Sequence, residues 1–221
     1  SDVSATLDQI HHAVSAGADI VRVAVPDMDA VEALPGILDE AGVPVVADIH
    51  FDHRLAIAAA DAGVHKLRIN PGNIGSDDRV RAVVSAAVHN EIPVRVGVNA
   101  GSLEADLLEQ YGHPTPEALA ESARRNVARV ESMGLQDVVV SIKASGVPLT
   151  VAANRIFASD CDLPLHLGIT EAGTGQGGVI HSSVGLGILL AEGIGDTIRV
   201  SLTGDIVDEV RVGRQILMAL G

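Results

Sequence analysis

The chain has 221 residues, 47% of them hydrophobic and only 1% aromatic, with no Trp and a formal charge of −14. That length is enough for one large domain with a real core, which must be aliphatic and Ala-rich. The acidic balance argues against nucleic acid or an anionic membrane as partner, and the lack of stacking aromatics weakens a single-strand-binding reading further.

One cysteine, Cys161, permits no disulfide within the chain and no Cys-based metal or iron–sulfur site. No stretch is long and apolar enough to span a bilayer; the best, Val184 to Leu190, is short and punctuated by glycine. Ser1-Asp2-Val3-Ser4 lacks the basic and apolar regions of a signal peptide, so a soluble, cytoplasmic protein is expected.

Val3, Leu7, Ile10 and Val14 recur at helical spacing, with Asp2 as cap and Gly17 as stop. Asp19 to Val25 reads as a strand, Asp27 to Glu40 as a helix, Val43 to Ile49 as a strand and Asp52 to Ala62 as a helix. His65 to Ile69 is a strand, Asp77 to Asn90 a helix and Pro93 to Val98 a strand. A longer connection follows, with a short helix from Leu103 to Tyr111. Thr115 then caps a helix that opens on Pro116 and runs to Met133. Asp137 to Lys143, Leu163 to Ile169 and Thr197 to Leu202 are strands. The helices that follow them are Leu149 to Ala158, Val179 to Glu192 and a last one capped by Asp205 that runs to Leu220.

Seven strands, each followed by a helix, imply an α/β fold with a parallel sheet and helices outside. A doubly wound sheet and a TIM (β/α)8 barrel both fit. The barrel fits better, because polar residues recur near the C-terminal ends of nearly all the strands, and a barrel gathers its site from all of them. The orphan first helix suggests a barrel whose first strand lies upstream. Residues 1–221 then form one barrel domain with no internal linker.

The polar residues come in pairs two apart, Asp48 and His50, Arg68 and Asn70, Ser141 and Lys143, Arg199 and Ser201, or four apart across Gly97, Arg95 and Asn99. Residues i and i+2 share a strand face, and their Val, Ile and Leu neighbours mark strands buried on both faces. Arg22, Arg68, Arg95, Lys143 and Arg199 would thus be aimed inside against two acids at matching positions, Asp48 and Glu171. Either they pair with carboxylates there, or the excess of about three cations meets an anionic ligand, since stranded charge costs several kcal/mol. Arginine suits phosphate in particular.

The loop from Glu171 to Gly178, with glycines at 173, 175, 177 and 178, reads as a phosphate cradle opening a helix or as a plain flexible turn. Lys143 is a phosphate contact or, alternatively, the Schiff-base lysine of an aldolase-type lyase acting on a sugar phosphate. Glu171 is the candidate general acid/base, or an arginine's partner. Asp48 and His50 could ligate a metal, but no third ligand is evident, so no metal site is expected and Asp48 reads better as a substrate-hydroxyl contact.

Several segments closely resemble the 4-hydroxy-3-methylbut-2-enyl diphosphate synthase family. They are Ile20 to Pro26, Val46 to Phe51, Leu67 to Asn73, Pro93 to Ser102, Leu167 to Gly173 and Ile198 to Gly204, in family order over essentially the whole chain. The resemblance implies a bacterial enzyme of the methylerythritol phosphate route to isoprenoids. It would open the ring of 2-C-methyl-D-erythritol 2,4-cyclodiphosphate with two electrons and loss of water. It also implies a TIM barrel for the substrate, a separate C-terminal domain with a [4Fe-4S] cluster, a homodimer, and flavodoxin or ferredoxin as electron donor.

Carried over, Arg22, Arg68, Arg95, Lys143, Arg199 and Ser201 would hold the diphosphate, supported by Asn70 and Asn99. Asp48 and His50 would contact the methylerythritol part, and Glu171 would be the acid/base residue. Ile206 departs from the proline that often follows Gly-Asp in the family. The larger departure is that the cluster's three cysteines and glutamate are not in this sequence. The chain is therefore expected to be the substrate-binding barrel alone, truncated at both ends and inactive without the cluster domain.

Overall fold

In the computed structural model, which describes residues 2–221, strands and helices alternate along the chain. They form two compact units: the described residues up to Val96 with Asn126–Val138, and Gly97–Arg125 with Val139–Gly221.

Unit one opens with α1 (Val3–Ser15), whose Asp2 cap accepts from Ala5 N at 3.1 Å. The strands β1 (Val21–Ala24), β2 (Val45–Asp48), β3 (Lys66–Ile69) and the start of β4 (Val94–Asn99) follow in parallel, each beside the next. Between them run α2 (Met28–Glu40), α3 (His53–Asp61), the single turn α4 (Pro71–Ile74) and α5 (Asp77–His89). Asp27 and Asp52 cap α2 and α3 through backbone N–H groups. The turn α4, capped by Asn70, is an element the periodicity does not reveal, because four residues are too few to show a period.

The register divides the residues of β1–β4 by face. Val21, Val23, Val45, Ala47, Leu67, Ile69, Val94 and Val96 share one face. Behind it, Ile10, Val21, Ile37, Ala41 and Val45 form a buried cluster with Val3, Val14 and Leu38 packed on it. The other face carries Arg22, Asp48, Lys66, Arg68 and Arg95.

The loops and short helices of unit two begin after β4 with a 3-10 turn (Ala100–Ser102) and α6 (Ala105–Tyr111). Next comes α7 (Pro116–Glu131), whose cap is the expected Thr115, accepting from Ala118 N at 3.1 Å. Then follow β5 (Val138–Lys143), α8 (Val147–Ala158), β6 (His166–Leu167), α9 (Gly175–Ala191), β7 (Thr197–Ile198) and α10 (Ile206–Leu220). β6 and β7 are parallel, and Val140 bridges Leu165, also in parallel.

The last two strands are shorter than the sequence suggests. Leu163 to Ile169 shrinks to two residues, and Arg199 to Ser201 lie beyond β7 rather than on it. The ladder ends at Gly168, where Arg199 N still donates to Leu167 O at 2.9 Å and the chains then part. The alternation survives the loss of pairing: Val200 is buried, while Arg199 and Ser201 are half-buried. α9 starts at Gly175, four residues before the expected Val179, so Gln176, Gly177 and Gly178 belong to the helix rather than to the loop.

Candidate functional site

In unit one, Asp48, Arg68 and Arg95 are successive partners across β2, β3 and β4, so their side chains leave the same face. The Asp48 carboxylate sits between two guanidiniums. Arg22 Nη1 reaches Oδ2 at 2.9 Å and Arg68 Nη1 donates to Oδ1 at 2.9 Å. His50 Nε2 stands 3.5 Å from Oδ2 and is itself largely exposed. Internal pairing, one of the two readings open from sequence, is thus realised at Asp48. Burial pushes the Asp48 carboxyl up, but Arg22 and Arg68 more than offset it and hold it below the ordinary carboxylate range.

Sequence reasoning passed over Lys66, which lies two residues before Arg68 on the same face. Its signal was the spacing Lys66-Leu67-Arg68. Burial, and then the nearby Arg95 charge, pull its ammonium below the usual lysine range. Four cations therefore share this face with one carboxylate. Asp48 is 5% and Arg95 6% exposed, so solvent screens little of that charge.

Asn70 is buried and caps α4, its Oδ1 accepting from Gly72 N at 3.0 Å. The turn is tied down from α7 by Arg129. That guanidinium donates to Pro71 O at 3.1 Å and to Gly75 O at 2.7 Å, and from Nε to Asp77 Oδ1 at 2.8 Å. Replacing Arg129 by Met is expected to lower stability by about 1–3 kcal/mol, as charged hydrogen bonds to carbonyl groups are lost. The check is the thermal midpoint; an unchanged value would mean that Pro71 and Asn70 hold the turn unaided.

In unit two, Ser141 and Ile142 of β5 are buried and Lys143 ends the strand half-buried. Lys143 runs over Gly168, where a Cβ would stand 2.9 Å from Nζ and 2.7 Å from the Arg199 carbonyl oxygen. Only glycine leaves room there for the lysine and the neighbouring backbone together. Asn99, at the end of β4, is half-buried.

Arg199 makes a bidentate pair with Glu209 of α10, at 3.2–3.3 Å. Glu209 also accepts from Leu202 N at 2.9 Å, which fixes the turn after Ser201. The sequence count of acids omitted Glu209, because it lies ten residues away on a helix rather than on a strand. Its position in the first turn of a capped helix was the available signal.

Glu171 is exposed and adopts φ +48°, the left-handed region that a non-glycine residue rarely enters. The glycine loop after it is anchored rather than loose. Ala172 O meets His181 Nδ1 at 3.1 Å, Thr203 N donates to Gly173 O, and Thr174 bridges Thr203. Gly178 is required, since a Cβ there would fall 2.6 Å from Gly173 O.

Residues 1–214 match the family described as the GcpE TIM-barrel domain. The chain belongs to that family. Within the GcpE group it is 60% identical over 220 residues to 4-hydroxy-3-methylbut-2-en-1-yl diphosphate synthase (flavodoxin) of Pseudomonas syringae, covering 100% of this chain and 60% of that protein. It is 58% identical over 219 residues to the protein of the same name from Geobacter sulfurreducens, covering 99% and 62%. This GcpE chain thus spans about three fifths of the length of the curated relatives it matches.

Among solved structures it is similar to the dihydropteroate synthase of Yersinia pestis, with TM-score 0.66, 15% identity and coverage of 99% and 89%. It is likewise similar to that of Xanthomonas albilineans in complex with 7,8-dihydropteroate, with TM-score 0.68, 12% identity and coverage of 99% and 84%. At those identities the likeness shows the fold alone. The expected α/β barrel class stands, and the resemblance seen in the sequence motifs is the right one.

The GcpE chain does not itself fit a [4Fe-4S] cluster. Cys161 is its one cysteine, and among the described residues no group of three or more His, Cys, Asp or Glu could hold a metal ion. Nor is any helix among them long and apolar enough to cross a membrane.

Proposed function

We propose that this chain is the substrate-binding barrel of a 4-hydroxy-3-methylbut-2-enyl diphosphate synthase, which reductively opens 2-C-methyl-D-erythritol 2,4-cyclodiphosphate. The observation that carries the reading is the β1–β4 face on which Arg22, Lys66, Arg68 and Arg95 lie beside the carboxylate of Asp48, with Arg95 buried. A face of such positive charge, shielded from water, favours a dianion. Arg22, Arg68 and Arg95 would take diphosphate charge in unit one. Lys143, Arg199 and Ser201, with Asn70 and Asn99 in support, are proposed for the same ligand class. Asp48 holds the guanidiniums in place, and His50 beside it would meet the polyol.

Glu171 would deliver the proton to the oxygen that leaves as water. Its left-handed backbone is a strained conformation of the kind that gathers at active sites, which supports the assignment. The two electrons belong to a cluster whose ligands this chain does not supply. Flavodoxin or ferredoxin as donor, a homodimeric state and a cytoplasmic location complete the reading. The 221-residue chain is expected to bind the cyclic diphosphate without turning it over; turnover with a reductant would overturn the proposal.

Calorimetry with the cyclic diphosphate tests the binding half. Arg199→Ala is expected to weaken binding by about 1.5–3 kcal/mol, the loss of a charged hydrogen-bond partner. Arg124→Ala, which breaks only a pair with Asp160 and a contact to Ile156 O, should leave affinity unchanged. Equal affinities for the two variants would remove Arg199 from the site. Borohydride trapping on Lys143 would instead favour a Schiff-base lyase.

A further inference from the structure

Two acids stand in the first turn of α10, and the fold treats them differently. The Asp208 side chain is 64% exposed, that of Glu209 only 11%. The helix is started by Asp205, which accepts from Val207 N at 2.9 Å. It is seated at Gly213, where a Cβ would lie 3.7 Å from Ile198 Cδ1 and 3.8 Å from Val200 Cγ2. Glu209 lies four residues before Gly213, on the same face of the helix. The packing of α10 on β7 and Val200 therefore delivers the Glu209 carboxylate to Arg199 and Leu202.

There it accepts on both oxygens. Oε1 takes Leu202 N at 2.9 Å and Arg199 Nη2 at 3.3 Å, while Oε2 takes Arg199 Nε at 3.3 Å and Nη2 at 3.2 Å. Donors converge here from two residues, and a carboxylate suits them because it only accepts; an amide would bring N–H groups of its own. The bonds to Arg199 occupy one edge of the guanidinium, Nε with Nη2. Among the described residues nothing accepts from Nη1.

That division has a consequence for binding. An arginine side chain as exposed as this one, at 41%, ordinarily loses rotamer freedom when a ligand orders it. Glu209 orders it beforehand. The rigid fork of the guanidinium then presents its Nη1 end, the part suited to phosphate oxygens. Leu202 N, bonded to the same carboxylate, holds the chain next to Ser201, the other proposed ligand contact of this segment.

We propose that Glu209 is the positioning residue of Arg199, clamping Nε and Nη2 so that the Nη1 end meets the anionic ligand. The inference deepens the substrate reading above and rests on it.

Glu209→Gln is the test, because it keeps the side-chain length and an acceptor for Leu202 N but sets an NH2 group against the guanidinium. Calorimetry with the cyclic diphosphate should show binding weakened about three- to ten-fold, the cost of ordering one long side chain. In an Arg199→Ala background the same substitution should change affinity by less than about two-fold, since the group it positions is gone. Equal weakening in both backgrounds would mean that Glu209 only supports the turn, and would overturn the proposal. Tighter binding by Glu209→Gln would also overturn it, because Glu209 would then compete with the ligand. A second measurement needs no variant: hydrogen exchange of the Arg199 Nε–H, followed by NMR in the wild type, should slow when the cyclic diphosphate binds. Faster exchange would show that the ligand displaces Glu209. If Arg199→Ala binds as the wild type does, the reading of Arg199 as a ligand residue fails and this inference with it. If Arg199→Ala is weakened and Glu209→Gln is not, the inference alone fails.

Discussion

Replacing Asp48 by Ala is expected to destabilise the protein by about 3–5 kcal/mol, the cost of stripping the partner from buried ions. In a chain of this size that is a drop of roughly 6–20 °C in thermal midpoint. The size follows from geometry. The carboxylate is 5% exposed and answers both Arg22 and Arg68 at 2.9 Å, on a face that already holds an excess of cations. Inorganic pyrophosphate should raise the midpoint more in the variant than in the wild type, because an anion then replaces the lost carboxylate.

The same group sets a pH dependence. The folded pKa of Asp48 is depressed below its unfolded value. Its stabilisation is therefore fully present above the unfolded pKa of about 3.9 and is lost as pH falls toward the folded one. Wild type and Asp48→Ala should differ by a constant amount from about pH 5 to 8 and converge below about pH 4. A variant that melts with the wild type at pH 7 would show that the arginines are held by something other than Asp48.

Gly168→Ala should lose both stability and ligand. Its Cβ would lie 2.7 Å from the Arg199 carbonyl oxygen and 2.9 Å from Lys143 Nζ. The lysine tip can swing away, but the carbonyl is backbone, one residue past the β6–β7 ladder, and it cannot. Overpacking of this kind costs about 1–3 kcal/mol. Displacing the Lys143 ammonium should weaken diphosphate binding by roughly 10- to 150-fold, the worth of a charged hydrogen bond. Calorimetry on the folded variant separates the two losses. Wild-type affinity in Gly168→Ala would mean that Lys143 does not need its present course to serve the ligand.

Much of this protein is local, and the local part was legible. The caps Asp2, Thr115 and Asp205 were readable because a cap is a contact with a backbone N–H two or three residues on, whereas Asp27 and Asp52, read as first helical residues, are caps as well. β2, β3 and β4 fell where Val, Ile and Leu alternate with Asp48, Arg68 and Arg95, because side-chain direction along a strand has period two. β6 and β7 came out short for a reason no period carries: their pairing stops at a glycine whose neighbours arrive from elsewhere in the chain.

The candidate site divides the same way. Which residues share a face of any one strand of β1–β4 was determined by the sequence alone, through spacing; which faces align across strands was decided by the register. What each of them meets was decided by the tertiary structure, because the partners are distant in the chain. Asp48 faces Arg22 and Arg68, 26 residues before and 20 after it. Arg199 turns to Glu209 on a helix, and Lys143 passes over Gly168. The sign of the charge on a strand is written in its residues, but whether that charge is neutralised depends on distance, and distance is fixed only when the chain has folded.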